Sequence, residues 1–200
     1  MSDSELKVPN YSAQEIAKKA AEFRQRYWDK SSPIDILKIC EMKLHIDFIP
    51  IPNLEALCRV TSLITSDWKY ILIDQRQYVD EAYDSRTNFS VAHEIGHLAL
   101  HREFHESLRI EGIEDIYKHY SRMSDVEYQT AERQAHAFAG RVLVPRSELM
   151  QFIQAMVKKH HGVPKDAKKQ LVNKFGVSED VILRRLQYEK IDFDTPELGL

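Results

Sequence analysis

At 200 residues, 43% hydrophobic and with a net charge of −3, the chain is long enough to bury one sizeable core and too acidic overall for tight non-specific nucleic-acid binding. No apolar run approaches the roughly 20 residues that span a bilayer, and Met1-Ser2-Asp3-Ser4-Glu5 lacks an export-signal pattern, so a cytoplasmic protein without a membrane partner is expected. Cys40 and Cys58 show no C-x-x-C spacing, which leaves disulfide scaffolds and cysteine metal sites unsupported.

Residues 1–11 read as a tail. Ser12 to Lys30 reads as an amphipathic helix with Ile16, Ala20 and Phe23 at helical spacing, and Pro33 opens a second from Ile34 to Met42, in which Cys40 belongs to packing. The period then changes. Leu44 to Ile49 alternates as a strand should, and Pro50 and Pro52 break it. Arg59 to Thr65 and Lys69 to Asp74 are two further strands joined near Ser66-Asp67, which gives a small antiparallel sheet beside helices.

A helix from about Ser85 to Arg102 follows, with Asp84 or Ser85 as N-cap and Val91, Ile95, Leu98 and Ala99 as its apolar stripe. The polar stretch Glu103 to Met123 has no defined pattern and is a candidate substrate-side loop. Ser124 with Glu127 reads as a capping box for a helix that ends near Leu143, where Pro145 marks the break. Helices from Ser147 to Lys159, Lys165 to Phe175 and Glu179 to Glu189 complete the chain before a tail at 191–200. With no repeats or long linkers, residues 12–190 are expected to form a single α+β unit, mostly helical.

Chemistry concentrates at His93-Glu94-Ile95-Gly96-His97, an H-E-x-x-H motif in a helix-forming stretch. Residues four apart lie one turn apart on one helix face, so the two imidazoles can converge on a single cation, with Glu94 placed to act on a water bound to it. That pattern points to a zinc-dependent hydrolase. His101 and His105 extend the spacing, but each step of four overshoots a full turn, so only adjacent members can share a metal. His93 and His97 are preferred because they bracket Glu94 directly beside the first ring, whereas His97 and His101 bracket Leu98, Ala99 and Leu100, which offer no base. His101 is expected beside a ligand or at the helix end, and His105, His160 and His161 at the surface. Gly96 is costly inside a helix and suggests a second element passing close there.

A catalytic zinc takes three protein ligands and keeps a position for water, so a further ligand must come from another element. In the helix after Ser124, Ala131, Ala135 and Ala139 make a slim face, with Phe138 beside it and Glu132 on its flank. Glu132 ranks first as third ligand. Glu127 is better used as a cap, and His136 is an alternative ligand or a hydrogen-bond partner of one.

Two blocks resemble the ImmA/IrrE family of zinc metallopeptidases. Arg86 to His101 is similar to the family's R-x-x-F-x-x-A-H-E-x-G-H-x-x-x-H segment, and Glu132 to Pro145 to its E-x-x-A-N-x-F-A-x-x-L-L-M-P. The departures are His136 where Asn is common, Gly140 where Ala is common, and Val142 and Val144 where Leu and Met are usual. The resemblance implies a zincin-like metallopeptidase domain, zinc held by His93, His97 and Glu132, and Glu94 as general base. It also implies a protein substrate, a helix-turn-helix repressor whose cleavage releases a stress, phage or mobile-element programme.

Candidate donors to the oxyanion are Tyr83, Tyr117, Tyr120, Tyr128, His136 and Arg141. Lys165 to Lys190, with Phe175-Gly176-Val177-Ser178 at its centre, has the outline of a helix-turn-helix, but similar endings belong to the family's catalytic unit and DNA contact is not expected. The alternative function is a non-catalytic, metal-stabilised module that binds a transcriptional regulator or DNA.

Overall fold

Ser12 closes a capping box with Glu15: its hydroxyl accepts from the Glu15 amide, and the Glu15 carboxylate accepts from the Ser12 amide. Helix α1 (Ala13–Tyr27) therefore starts there in the computed structural model, which describes residues 7–112, 114–115, 124–191 and 193. Its inward face carries Ile16, Ala20 and Phe23. α2 (Ile36–Ile39) continues as a π-helical turn, Cys40–Leu44, which His45 ends in the left-handed region.

Strand β1 (Asp47–Ile51) runs through Pro50 instead of stopping before it. The sheet order is β1-β3-β2, so β1 is an edge strand, where a missing N–H need not interrupt a ladder. β2 (Ser62–Ile64) and β3 (Tyr70–Asp74) form the expected hairpin, with Leu63 opposite Leu72. β1, however, pairs parallel to β3, with Phe48 opposite Ile71. The small sheet is thus mixed and not antiparallel throughout. The cause is a helix the alternation did not announce, α3 (Leu54–Cys58), bounded by Asn53 and Arg59 in left-handed conformations. It separates β1 from β2 and leaves β3 to enter between them.

α4 (Gln75–Val79), capped by Asp74, leads through a 3₁₀ turn into α5 (Asp84–Leu100). Tyr83 occupies the α5 N-cap without a side-chain hydrogen bond, and Asp84 lies in the first turn, where its charge suits the helix dipole. α6 (Arg102–Leu108) takes up the beginning of the Glu103 to Met123 stretch, where the sequence showed no defined pattern. His105 on α6 is buried at 5% exposure, contrary to the surface position expected of it, because its ring packs 4.9 Å from Trp68. Residues 113 and 116–123 of that stretch lie outside the described residues.

α7 (Asp125–Leu143), α8 (Arg146–His160), α9 (Ala167–Phe175) and α10 (Glu179–Tyr188) follow the predicted order. Gly176, at φ 64°, makes the turn between the last two. Their apolar residues, including Leu171, Phe175, Val181 and Ile182, join the same core as Ile95 of α5 and Phe138 of α7. Among the described residues no helix is long and apolar enough to cross a membrane.

Two contacts fix the helices that carry the site. The buried Arg24 of α1 donates to the Val142 carbonyl at 2.7 Å and pairs with Glu148 at 2.7 Å, which pins α1 to the α7–α8 corner. Gly96 lets α5 and α7 touch: a Cβ there would stand 2.9 Å from Ala135 Cα and 3.0 Å from its carbonyl oxygen. The close approach expected from Gly96 is therefore present, and Ala131, Ala135 and Ala139 are all buried. Gly96→Ala should cost about 1–3 kcal/mol through overpacking against backbone that cannot rotate away. Urea denaturation of the metal-free protein checks it, and a variant as stable as wild type would contradict the contact.

Candidate metal centre

α5 delivers His93 and His97 to one face a turn apart, and α7 lays Glu132 across them one turn before the Gly96–Ala135 contact. Nε2 of His93 lies 3.1 Å from Nε2 of His97 and 3.1 Å from Glu132 Oε2, and Nε2 of His97 lies 3.3 Å from Glu132 Oε1. These three are the group among the described residues whose ligand atoms converge closely enough to hold one ion. The donor set fits zinc. Ligands about 2.0–2.1 Å from a tetrahedral zinc stand about 3.3 Å from one another, close to the 3.1 Å between the two ring nitrogens, and each ring has a Glu132 oxygen within reach. Two imidazole nitrogens in such contact also need a proton or a cation between them.

The electrostatics agree. Burial would raise the Glu132 pKa, but the close approach of the His93 and His97 rings and their charge outweigh it and hold the carboxyl well below its ordinary range. Burial pushes His93 down, and its bond to Glu132 and the nearby carboxylates more than restore it, leaving its pKa raised. Ligands in this state bind a metal by releasing protons.

Glu94 is 3% exposed, on the wall of the same cleft. Its Oε1 accepts from the Ser62 hydroxyl at 2.8 Å and its Oε2 from the Ile64 amide at 2.9 Å, both on β2. β2 is the other edge of the sheet, so Ile64 has an N–H to spare. Sequence reasoning missed both partners, since neither lies near Glu94 in the chain. The cleft, about 330 Å³, is also lined by Arg59, Arg86, Phe89 and Tyr128.

Of the remaining candidates, Tyr128 and His136 line the cleft. His136 stands beside the trio and outside it, its ring centroid 4.9 Å from that of His93. Arg141 lines a small neighbouring cavity, and Tyr83 lies under Arg76 away from the cleft. Tyr117 and Tyr120 lie outside the described residues. Glu127 caps α7 with Ser124, and His160 and His161 are exposed. His101 is buried against the site: its Nδ1 lies 3.2 Å from Nδ1 of His97, and burial and His97 drive its pKa down to about 4.

The peptidase M78 family model, described as the IrrE N-terminal-like domain, matches residues 78–187. A Mycobacterium tuberculosis transcriptional regulator of known structure is similar over 89% of this chain, with a TM-score of 0.56 and 16% identity, a likeness of fold. The chain spans 57% of that regulator's length. No curated protein sequence gives a significant match. The matched segment takes in the motif helix, the helix of Glu132 and the two closing helices, more than half of the sequence, and the chain belongs to the IrrE N-terminal-like family of M78 peptidases.

Proposed function

We propose that the chain is a zinc-dependent endopeptidase, with residues 12–190 as its catalytic unit and residues 165–190 as the helix-turn-helix-like end of that unit. The observation that carries this reading is the convergence of His93, His97 and Glu132 beside Glu94 on one open cleft. His93, His97 and Glu132 would hold the metal. When bound, zinc supplies Lewis acidity to the scissile carbonyl and lowers the pKa of water towards about 7. Glu94 then takes the proton of the attacking water and passes it to the leaving amine.

Ser62 and Ile64 prepare Glu94 for that role. Each carboxylate oxygen has two lone pairs, and each spends one on β2, so the group stays oriented and keeps a site for the proton. The outer edge of β2, whose Ser62 and Leu63 line the cleft together with the preceding residues Arg59, Val60 and Thr61, suits a substrate in extended conformation. Tyr128 and His136 are the cleft-lining donors for the developing oxyanion.

The substrate assigned here is a helix-turn-helix transcriptional repressor, and its cleavage in the cytoplasm would release a stress, phage or mobile-element programme. Membership in the IrrE-like family supports that assignment. Incubating the zinc-loaded protein with the repressor encoded nearest to it, followed by intact-mass spectrometry, tests it. Two repressor fragments that sum to the parent plus one water are expected, and a repressor intact across pH and zinc concentration would reject this substrate.

A further inference from the structure

We propose that Gln134, anchored by the backbone carbonyl of Pro9, is a positioning residue of the metal centre: it fixes the ring proton of His101 and, through His101, that of His97, so that Nε2 of His97 presents a lone pair to the metal. The proposal rests on the reading of His97 as a ligand.

The chain of hydrogen bonds has only one consistent direction. A backbone carbonyl can only accept, so the Gln134 atom 3.0 Å from the Pro9 oxygen is the amide nitrogen. The other end of the amide, Oε1, then faces Nε2 of His101 at 3.2 Å, and an amide oxygen also can only accept. Nε2 of His101 therefore carries its ring's hydrogen. A neutral imidazole has one N–H, which leaves a lone pair on Nδ1 of His101, 3.2 Å from Nδ1 of His97. The hydrogen between those atoms belongs to His97, and its Nε2 is left bare.

That bare nitrogen lies 3.3 Å from a Glu132 oxygen, an approach of two acceptors that a cation between them would make favourable. Turning the Gln134 amide over would set oxygen against oxygen at Pro9 and reverse every later bond, placing a hydrogen on the nitrogen the metal needs. Gln134 at 2% exposure and His101 at 1% leave no room for water to substitute. His93 is held differently: its Nδ1 is buried without a hydrogen-bond partner among the described residues, and ring contacts with His97 and His136 orient it. His97 is thus the ligand whose protonation site is set by hydrogen bonding, from a segment that precedes the first helix.

Long-range ¹H–¹⁵N correlation on the metal-free, ¹⁵N-histidine-labelled full chain reads the tautomers. The expected result is hydrogen on Nδ1 of His97 and on Nε2 of His101. In Gln134→Leu both rings should become tautomer mixtures, and zinc affinity by chelator competition should fall about 10- to 100-fold. Gln134→Glu, as the protonated acid in this buried place, donates its hydroxyl to the Pro9 carbonyl and keeps an acceptor oxygen towards His101, so zinc affinity should stay within about threefold of wild type. A merely space-filling role predicts the reverse, with Leu tolerated and a buried Glu not. Hydrogen on Nε2 of His97 in the wild type, or undiminished zinc affinity in Gln134→Leu, would overturn the proposal. Should Gln134→Leu fail to fold by circular dichroism, the wild-type tautomers decide alone. A wild type that binds no zinc would overturn the metallopeptidase reading, and the metal-free tautomers would still decide this one.

Discussion

Glu94→Gln is expected to lower turnover by about 10²- to 10⁴-fold, the usual contribution of a positioned general base, with zinc affinity unchanged. The amide fits the same space without an orphaned partner. Its oxygen can accept from Ile64 N–H and its NH₂ can donate to the Ser62 hydroxyl, which rotates to receive it. Glu94→Ala is a poorer test, because it strands the Ile64 amide in a buried place at about 1–3 kcal/mol and confuses stability with chemistry. Cleavage rates and zinc titrations on the same Glu94→Gln preparation separate the two roles. Retained cleavage would remove Glu94 as the base.

The second large effect is expected at Glu132, from the far side of the site. Glu132→Ala leaves two imidazoles without the carboxylate that fixes their spacing, and zinc affinity should fall by more than the roughly 100-fold seen when only an outer hydrogen-bond partner is lost. The fold should survive, since Glu132 is partly exposed and its bonds run to the two imidazoles. In the metal-free protein His93 also loses the bond and charge that raise its pKa, so that pKa should drop in the variant. Zinc titration and histidine NMR check the two consequences. Wild-type zinc affinity in Glu132→Ala would place the third ligand elsewhere.

The sequence displayed those features that local periodicity controls. His93 and His97 share a helix face at any tertiary arrangement, so their convergence followed from spacing alone. Glu132 could be ranked because two imidazoles need a third ligand and Glu132 flanks the slim Ala131, Ala135, Ala139 face; Gly96 separately signalled a close neighbour, and the contact of Gly96 with Ala135 exists. What stayed hidden is non-local. Pro50 looks like a strand breaker until β1 proves to be an edge strand, and the parallel pairing of β1 depends on a short helix held between two left-handed residues. His105 looked solvated because its burial depends on Trp68, far back in the chain. Ser62, Ile64 and Gln134 had no motif to mark them, since each acts through a partner on a different element.

X-ray absorption at the zinc edge on the loaded wild-type protein measures the centre most directly. One zinc per chain is predicted, with two imidazole nitrogens and carboxylate and water oxygens at about 2.0–2.2 Å. A spectrum without two imidazoles, or one that Glu132→Ala leaves unaltered, would contradict the assignment of His93, His97 and Glu132 to a single metal.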